Sequence, residues 1–184
     1  EIQEDFDNAG FLVGRKKQEV TRILVALDIT GEVAEEAARL GAELIVAHHP
    51  VIFNPVKSVT DETLTGRVLL ALAEQKIAAI CAHTNLAAAL GGVNDCLAEA
   101  LELTDVSQLC QEGVDAQGRP YGIGRVGTVR RPELSAREYA AFVKEKLGSA
   151  NVRFVDGGRP VQRVAVGGGA CGSMLEDALA QGCD

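Results

Sequence analysis

"TRILVALDITGEVAEEAARLGAELIVAHHP", residues 21–50, decides the fold. Residues 21–30 are β-branched and apolar enough for a strand, and residues 31–42 are helix formers with Gly41 as a stop. Residues 43–50 read as a second strand, ending on His48, His49 and Pro50. Strand, helix and strand in this order predict a βαβ unit.

The alternation continues along the chain. Residues 63–76 carry apolar positions at helical spacing, 77–85 read as a third buried strand, and 91–103 as another helix. Beyond a polar, turn-rich stretch come a strand over 122–129 and a helix opened by the capping box Ser135 to Glu138. Strand candidates at 152–156 and 162–168 lead into a final helix from Ser173. Residues 21–43 laid over 162–184, an offset of 141, give six identities in 23 pairs, with apolar pattern, turn and helix in one frame. The expected class is therefore α/β, with two related halves whose mixed sheets are flanked by helices. A first domain is expected over 1–106, a linker over 107–120, and a second domain over 121–184. Both ends read as cut, because no Met opens the chain and the second half stops just before the position matching "LIVAHH".

Composition agrees with that class. The 184 residues are 47% apolar and 24% charged, enough for a real core, while aromatics are only 4%, which suits helix-on-sheet packing. A formal charge of -8 offers no uniform basic field, so general nucleic-acid binding is not expected. No apolar run approaches the roughly 18 residues of a membrane span and no signal peptide opens the chain, so a cytoplasmic protein is expected. Five cysteines, odd in number and without C-x-x-C spacing, read as buried thiols of a reducing compartment.

All three histidines fall at carboxyl ends of expected strands: His48 and His49 after the second, His83 after the third. Ligands of open parallel α/β sheets bind on that rim. Adjacent residues inside a strand point to opposite faces, so a shared site requires the strand to be ending at His48. Neutral imidazole is the commonest side-chain metal ligand, and a catalytic metal needs about three protein ligands and an open position. The alternative is three ordinary polar residues at strand ends, and no H-E-x-x-H spacing decides between them.

"DNAGFLVG" (7–14), "AELIVAHHPVIFNPVKSV" (42–59), "AHTNLAAALGGVNDCLAEALEL" (82–103) and "GIGRVGTV" (122–129) together resemble the NGG-interacting-factor-like family, whose members are often labelled type 2 GTP cyclohydrolase I homologues. The resemblance implies two similar α/β domains, a dinuclear metal site at the strands' carboxyl ends between the halves, and a homohexameric ring. It implies metal ligands at His48 and His49 with His83 in the wall of the same site; His83 is read as the catalytic residue, and Asp7, Asn8, Asp28, Asn85 and Asp95 as further wall candidates. Zn, Fe, Mn, Co or Ni would suit such ligands. The family continues H-T-N-L with a metal-bridging aspartate, whereas this chain has Ala87, so fewer than two ions per subunit are expected here. The family's other ligands, a His and a Glu one helical turn apart, fall beyond residue 184. The implied activity is that of a metal-dependent hydrolase acting on a nucleotide, GTP cyclohydrolase-like, or on another phosphorylated small molecule. The rival, favoured by Ala87, is a non-enzymatic oligomeric metal-binding or regulatory protein.

"GGGACG" (167–172) also fits G-x-G-x-x-G, although a tight strand-to-helix turn explains it as well. Cys171 beside it reads as a packed thiol rather than a nucleophile.

Overall fold

The computed structural model describes residues 2–131 and 133–184, which form two compact units, 1–85 and 86–184. The first unit carries β1 (Gly10–Val13), β2 (Ile23–Ala26), α1 (Gly31–Leu40), β3 (Leu44–Ala47), α2 (Leu64–Glu74) and β4 (Ala78–Cys81). Its four strands lie in the order β1-β4-β3-β2, with β2, β3 and β4 parallel and β1 antiparallel to β4. The sheet is mixed, as expected. Strand β1 itself was not foreseen, because "GFLV" is short and sits between glycines that read as a connection.

Periodicity explains which face is buried. Leu24, Ile45 and Ala79 stand in one register row, and with Ala47 and Cys81 they meet α1 and α2. Ala34 and Ala37 let α1 approach closely, and Leu72 of α2 is fully buried. Truncating Leu72 to Ala would cost about 2–5 kcal/mol. Helix α1 starts where the Thr30 hydroxyl accepts from the Val33 amide at 3.2 Å. It stops at Gly41, whose left-handed φ of 66° is the conformation a side chain resists. The strands prove shorter than read, four residues each, because their carboxyl ends bend away into the candidate site.

A short helix, α3 (Thr84–Ala88), spans the division between the units. The second unit holds α4 (Val93–Ala100), β5 (Leu103–Gln108), β6 (Gly113–Val114), β7 (Pro120–Tyr121), β8 (Arg125–Val129), α5 (Ala136–Lys146), β9 (Arg163–Val166), a 3-10 turn at Gly172–Met174 and α6 (Leu175–Ala180). Strands β5, β8 and β9 form an antiparallel sheet, and β6 pairs with β7. Helix α4 packs on β5, β8 and β9, so residues 86–106, expected in the first half, sit in the second unit. The expected linker over 107–120 contains the end of β5, β6 and the start of β7. Its turn residues mark a hairpin rather than a boundary. The candidate strand at 152–156 is irregular backbone with Val155 exposed, and its alternation finds no pairing partner among the described residues. The capping box at Ser135 and Glu138 is present in full.

Residues 21–43 and 162–184 share local bonding. Ala42 N donates to Ala37 O at 2.9 Å and Glu43 N to Arg22 O at 3.1 Å; at the same offset Cys183 N donates to Ala178 O at 3.0 Å and Asp184 N to Arg163 O at 2.9 Å. Glu43 Oε2 accepts from the amides of Thr21 and Arg22, and Asp184 Oδ2 accepts from those of Gln162 and Arg163. Among the described residues no helix is long and apolar enough to cross a membrane.

Candidate metal centre

The end of β3 solves the geometric problem of two adjacent histidines. The amides of His48 and His49 both donate to Leu27 O, at 3.2 and 3.0 Å, so the ladder ends there and both side chains reach one side. Strand β4 ends alongside, where Ala82 N donates to Ala47 O at 2.9 Å and delivers His83 to the same rim. The three ring centroids lie 5.0, 5.1 and 5.6 Å apart. One ligand nitrogen from each falls within 4.8 Å of the others.

Each ring is oriented through its Nδ1. His48 Nδ1 lies 2.7 Å from the Ala82 carbonyl, His49 Nδ1 2.7 Å from Asp28 Oδ1, and His83 Nδ1 2.8 Å from Asp7 Oδ1. A carbonyl or a carboxylate only accepts, so Nδ1 carries the proton in all three neutral rings and Nε2 keeps its lone pair. Histidines that hold metals are oriented in this way.

Asp7 is the deepest of these oxygen partners, its side chain wholly buried while that of Asp28 is half exposed. Its Oδ2 accepts from the Thr84 amide at 3.0 Å and the Thr84 hydroxyl at 2.5 Å, and its Oδ1 also accepts from the Asn8 amide at 2.7 Å. Burial pushes its carboxyl upward, but the bonds from Thr84, His83 and Asn8 outweigh that and hold it below the usual range. Asn8 Nδ2 donates to Ile52 O at 2.6 Å, pinning the loop after Pro50 to the loop that carries Asp7. Asn85 Oδ1 accepts from the His83 amide at 2.8 Å and shapes the turn into α3.

The structure thus joins Asp7, Asn8, Asp28 and Asn85 to the histidines or their loops. Asp95, within the second unit, pairs with Arg125, whose side chain is 1% exposed. The guanidinium also donates to the carbonyls of Gly122 and Gly124, both at 2.7 Å, and of Ala89 at 3.2 Å. A single buried arginine in a run of Gly and Val gave no sign of this. Fully buried Asn94 was likewise missed. Its Oδ1 accepts from Gly168 N at 2.8 Å, so one amide of the glycine-rich loop serves packing, as a tight turn requires. Burial raises the Cys171 thiol above its ordinary value, which agrees with a packed role. At Ala87 a methyl group stands where the resemblance expects a carboxylate, and its carbonyl accepts from Asn94 Nδ2 at 2.9 Å.

One divalent transition ion fits here, with His48 and His49 as pre-oriented nitrogen donors and a His83 nitrogen within 4.8 Å of theirs. The donor set does not by itself fit two. Neutral imidazoles offer no bridging anion, and close cations without one repel.

Comparison with known proteins agrees over the full chain. Residues 1–184 match the sequence profile of the Duf34/NIF3 (NGG1p interacting factor 3) family. A Clostridium perfringens protein named GTP cyclohydrolase 1 type 2 homolog is 36% identical over 184 residues, covering 100% of this chain and 69% of the relative. One of the same name from Streptomyces coelicolor is 40% identical over 187 residues, covering 100% and 65%. The chain therefore spans about two thirds of the length of these relatives. A Staphylococcus aureus hypothetical protein of known structure superposes with a TM-score of 0.90 at 30% identity, over 99% of this chain and 71% of that one. A Bacillus cereus protein related to NIF3 gives 0.88 at 24% identity, over 98% and 75%, and shares the fold. With its profile matched from end to end and relatives above 30% identity, the chain belongs to the Duf34/NIF3 (NGG1p interacting factor 3) family.

Proposed function

We propose that this chain carries the metal site of a metal-dependent hydrolase acting on a nucleotide or another phosphorylated small molecule. The observation that carries the reading is the convergence of three Nδ1-anchored imidazoles within 4.8 Å. His48 and His49 would hold a divalent transition metal, Zn, Fe, Mn, Co or Ni. Such an ion supplies Lewis acidity and makes water a better nucleophile near neutral pH. His83 moves a proton. Asp7 fixes its tautomer, leaves Nε2 free to accept, and its negative charge stabilises the imidazolium that results. The name GTP cyclohydrolase 1 type 2 homolog, borne by the relatives, supports a nucleotide as the substrate class.

The test is turnover of a panel of nucleoside triphosphates by metal-loaded protein. His83→Ala is expected to keep its metal and lose about 10²- to 10⁴-fold in rate. Loss of metal in that variant would instead make His83 a ligand and remove its proton-transfer role. Ala87 favours a second reading, a non-enzymatic metal-binding regulatory protein. Bound metal with no turnover of any panel member would support it.

A further inference from the structure

The first unit has an aliphatic core. Its buried cluster and the partly buried residues packed on it contain no aromatic side chain. The three aromatics of residues 1–85 are Phe6, Phe11 and Phe53, exposed by 66%, 40% and 46%. Burying a phenyl ring is among the larger apolar gains open to a small unit, so leaving all three in water needs a reason at each. Phe11 has one in the sheet, where its ring lies over the Gly14–Ala78 approach. Phe53 has no such packing role in the core. Its ring sits 6.3 Å from that of His83, with the planes at 88°. The loop that carries it is held in place by the Asn8–Ile52 hydrogen bond of 2.6 Å.

We infer that Phe53 is the platform on which the ligand of this site stacks a planar heteroaromatic ring, such as a nucleobase. A flat π-face, half in water and fixed beside a cluster of lone pairs, is the arrangement that single-stranded nucleotide binders use to hold bases. A ring lying flat on Phe53 stands nearly perpendicular to the His83 imidazole, because those two planes already do. The inference rests on the reading of the histidine cluster as a ligand site and adds the class of group bound beside it.

The experiment compares calorimetric binding of GTP and of inorganic tripolyphosphate, which lacks the base, to the zinc-loaded full-length protein. Phe53→Leu keeps apolar bulk but loses the flat face; Phe53→Trp keeps the face. The expected result is tighter binding of GTP than of tripolyphosphate by the parent. Phe53→Leu should weaken GTP by about 5- to 100-fold. Tripolyphosphate affinity and zinc content should stay unchanged, and Phe53→Trp should restore GTP binding. The inference is overturned if the parent binds both ligands equally, if Phe53→Leu binds GTP as the parent does, or if it weakens both ligands alike. Base-dependent binding without turnover would sink only the hydrolase reading, and turnover that ignores Phe53 would sink only the platform.

Discussion

Asp7 and His83 are 76 residues apart in sequence, yet Oδ1 of the first lies 2.8 Å from Nδ1 of the second. The carboxylate is buried beneath the imidazole and also takes both donors of Thr84. One side chain therefore ties the segment before β1 to the end of β4 and sets the direction of a candidate catalytic ring. Charge-assisted bonds of this kind are the stronger ones.

Asp7→Asn replaces that acceptor with an amide whose NH2 must face some of the same donors. A loss of about 1–3 kcal/mol is expected for each buried group left unsatisfied. Urea denaturation at neutral pH measures it. Unchanged stability would mean that Asp7 does not fasten this corner of the unit.

Asp95 and Arg125 make the corresponding anchor in the second unit. Removing the carboxylate strands a buried guanidinium, a change that typically costs about 3–5 kcal/mol. Arg125 keeps three carbonyl partners, so Asp95→Ala should fall near the lower end. A loss well under 1 kcal/mol would show that the carbonyls suffice.

The same pair predicts acid sensitivity. Burial raises the Asp95 carboxyl, but the Arg125 guanidinium and the Gly91 amide outweigh it, leaving it below its ordinary 3.8. A group depressed on folding contributes stability that is whole above its unfolded pKa and is lost as pH falls through the folded one. Unfolding midpoints should therefore drop as pH falls below about 4, and less so in Asp95→Asn. Parallel pH profiles for parent and variant would contradict this.

Much of the architecture was legible in residues 21–50. An apolar strand, a helix closed by Gly41 and a strand breaking at His48 are local signals, and all three appear where read. The rim position of the histidines followed from them. What stayed hidden was long-range. Strand β1 pairs with β4 across some seventy residues, and nothing within "GFLV" announces that partner. The packing of helix α4 on β5, β8 and β9 is not legible either, because periodicity shows that a helix forms, not which sheet it covers. The ion pair of Asp95 was hidden for the same reason: its partner, Arg125, is thirty positions away and buried.

Ala87 tests whether a missing carboxylate limits the number of ions held. Ala87→Asp supplies the carboxylate that the family pattern carries, and in the full-length protein it should raise metal content towards two ions per subunit. Unchanged content would show that the alanine is not what limits the site.

The central claim is that His48 and His49 hold a metal, and elemental analysis of the purified protein tests it most directly. The parent should carry at least one equivalent of a transition metal, and the folded His48→Ala/His49→Ala double variant should carry almost none. A parent free of metal after incubation with Zn, Fe, Mn, Co or Ni, or a double variant that retains its metal, would contradict the claim.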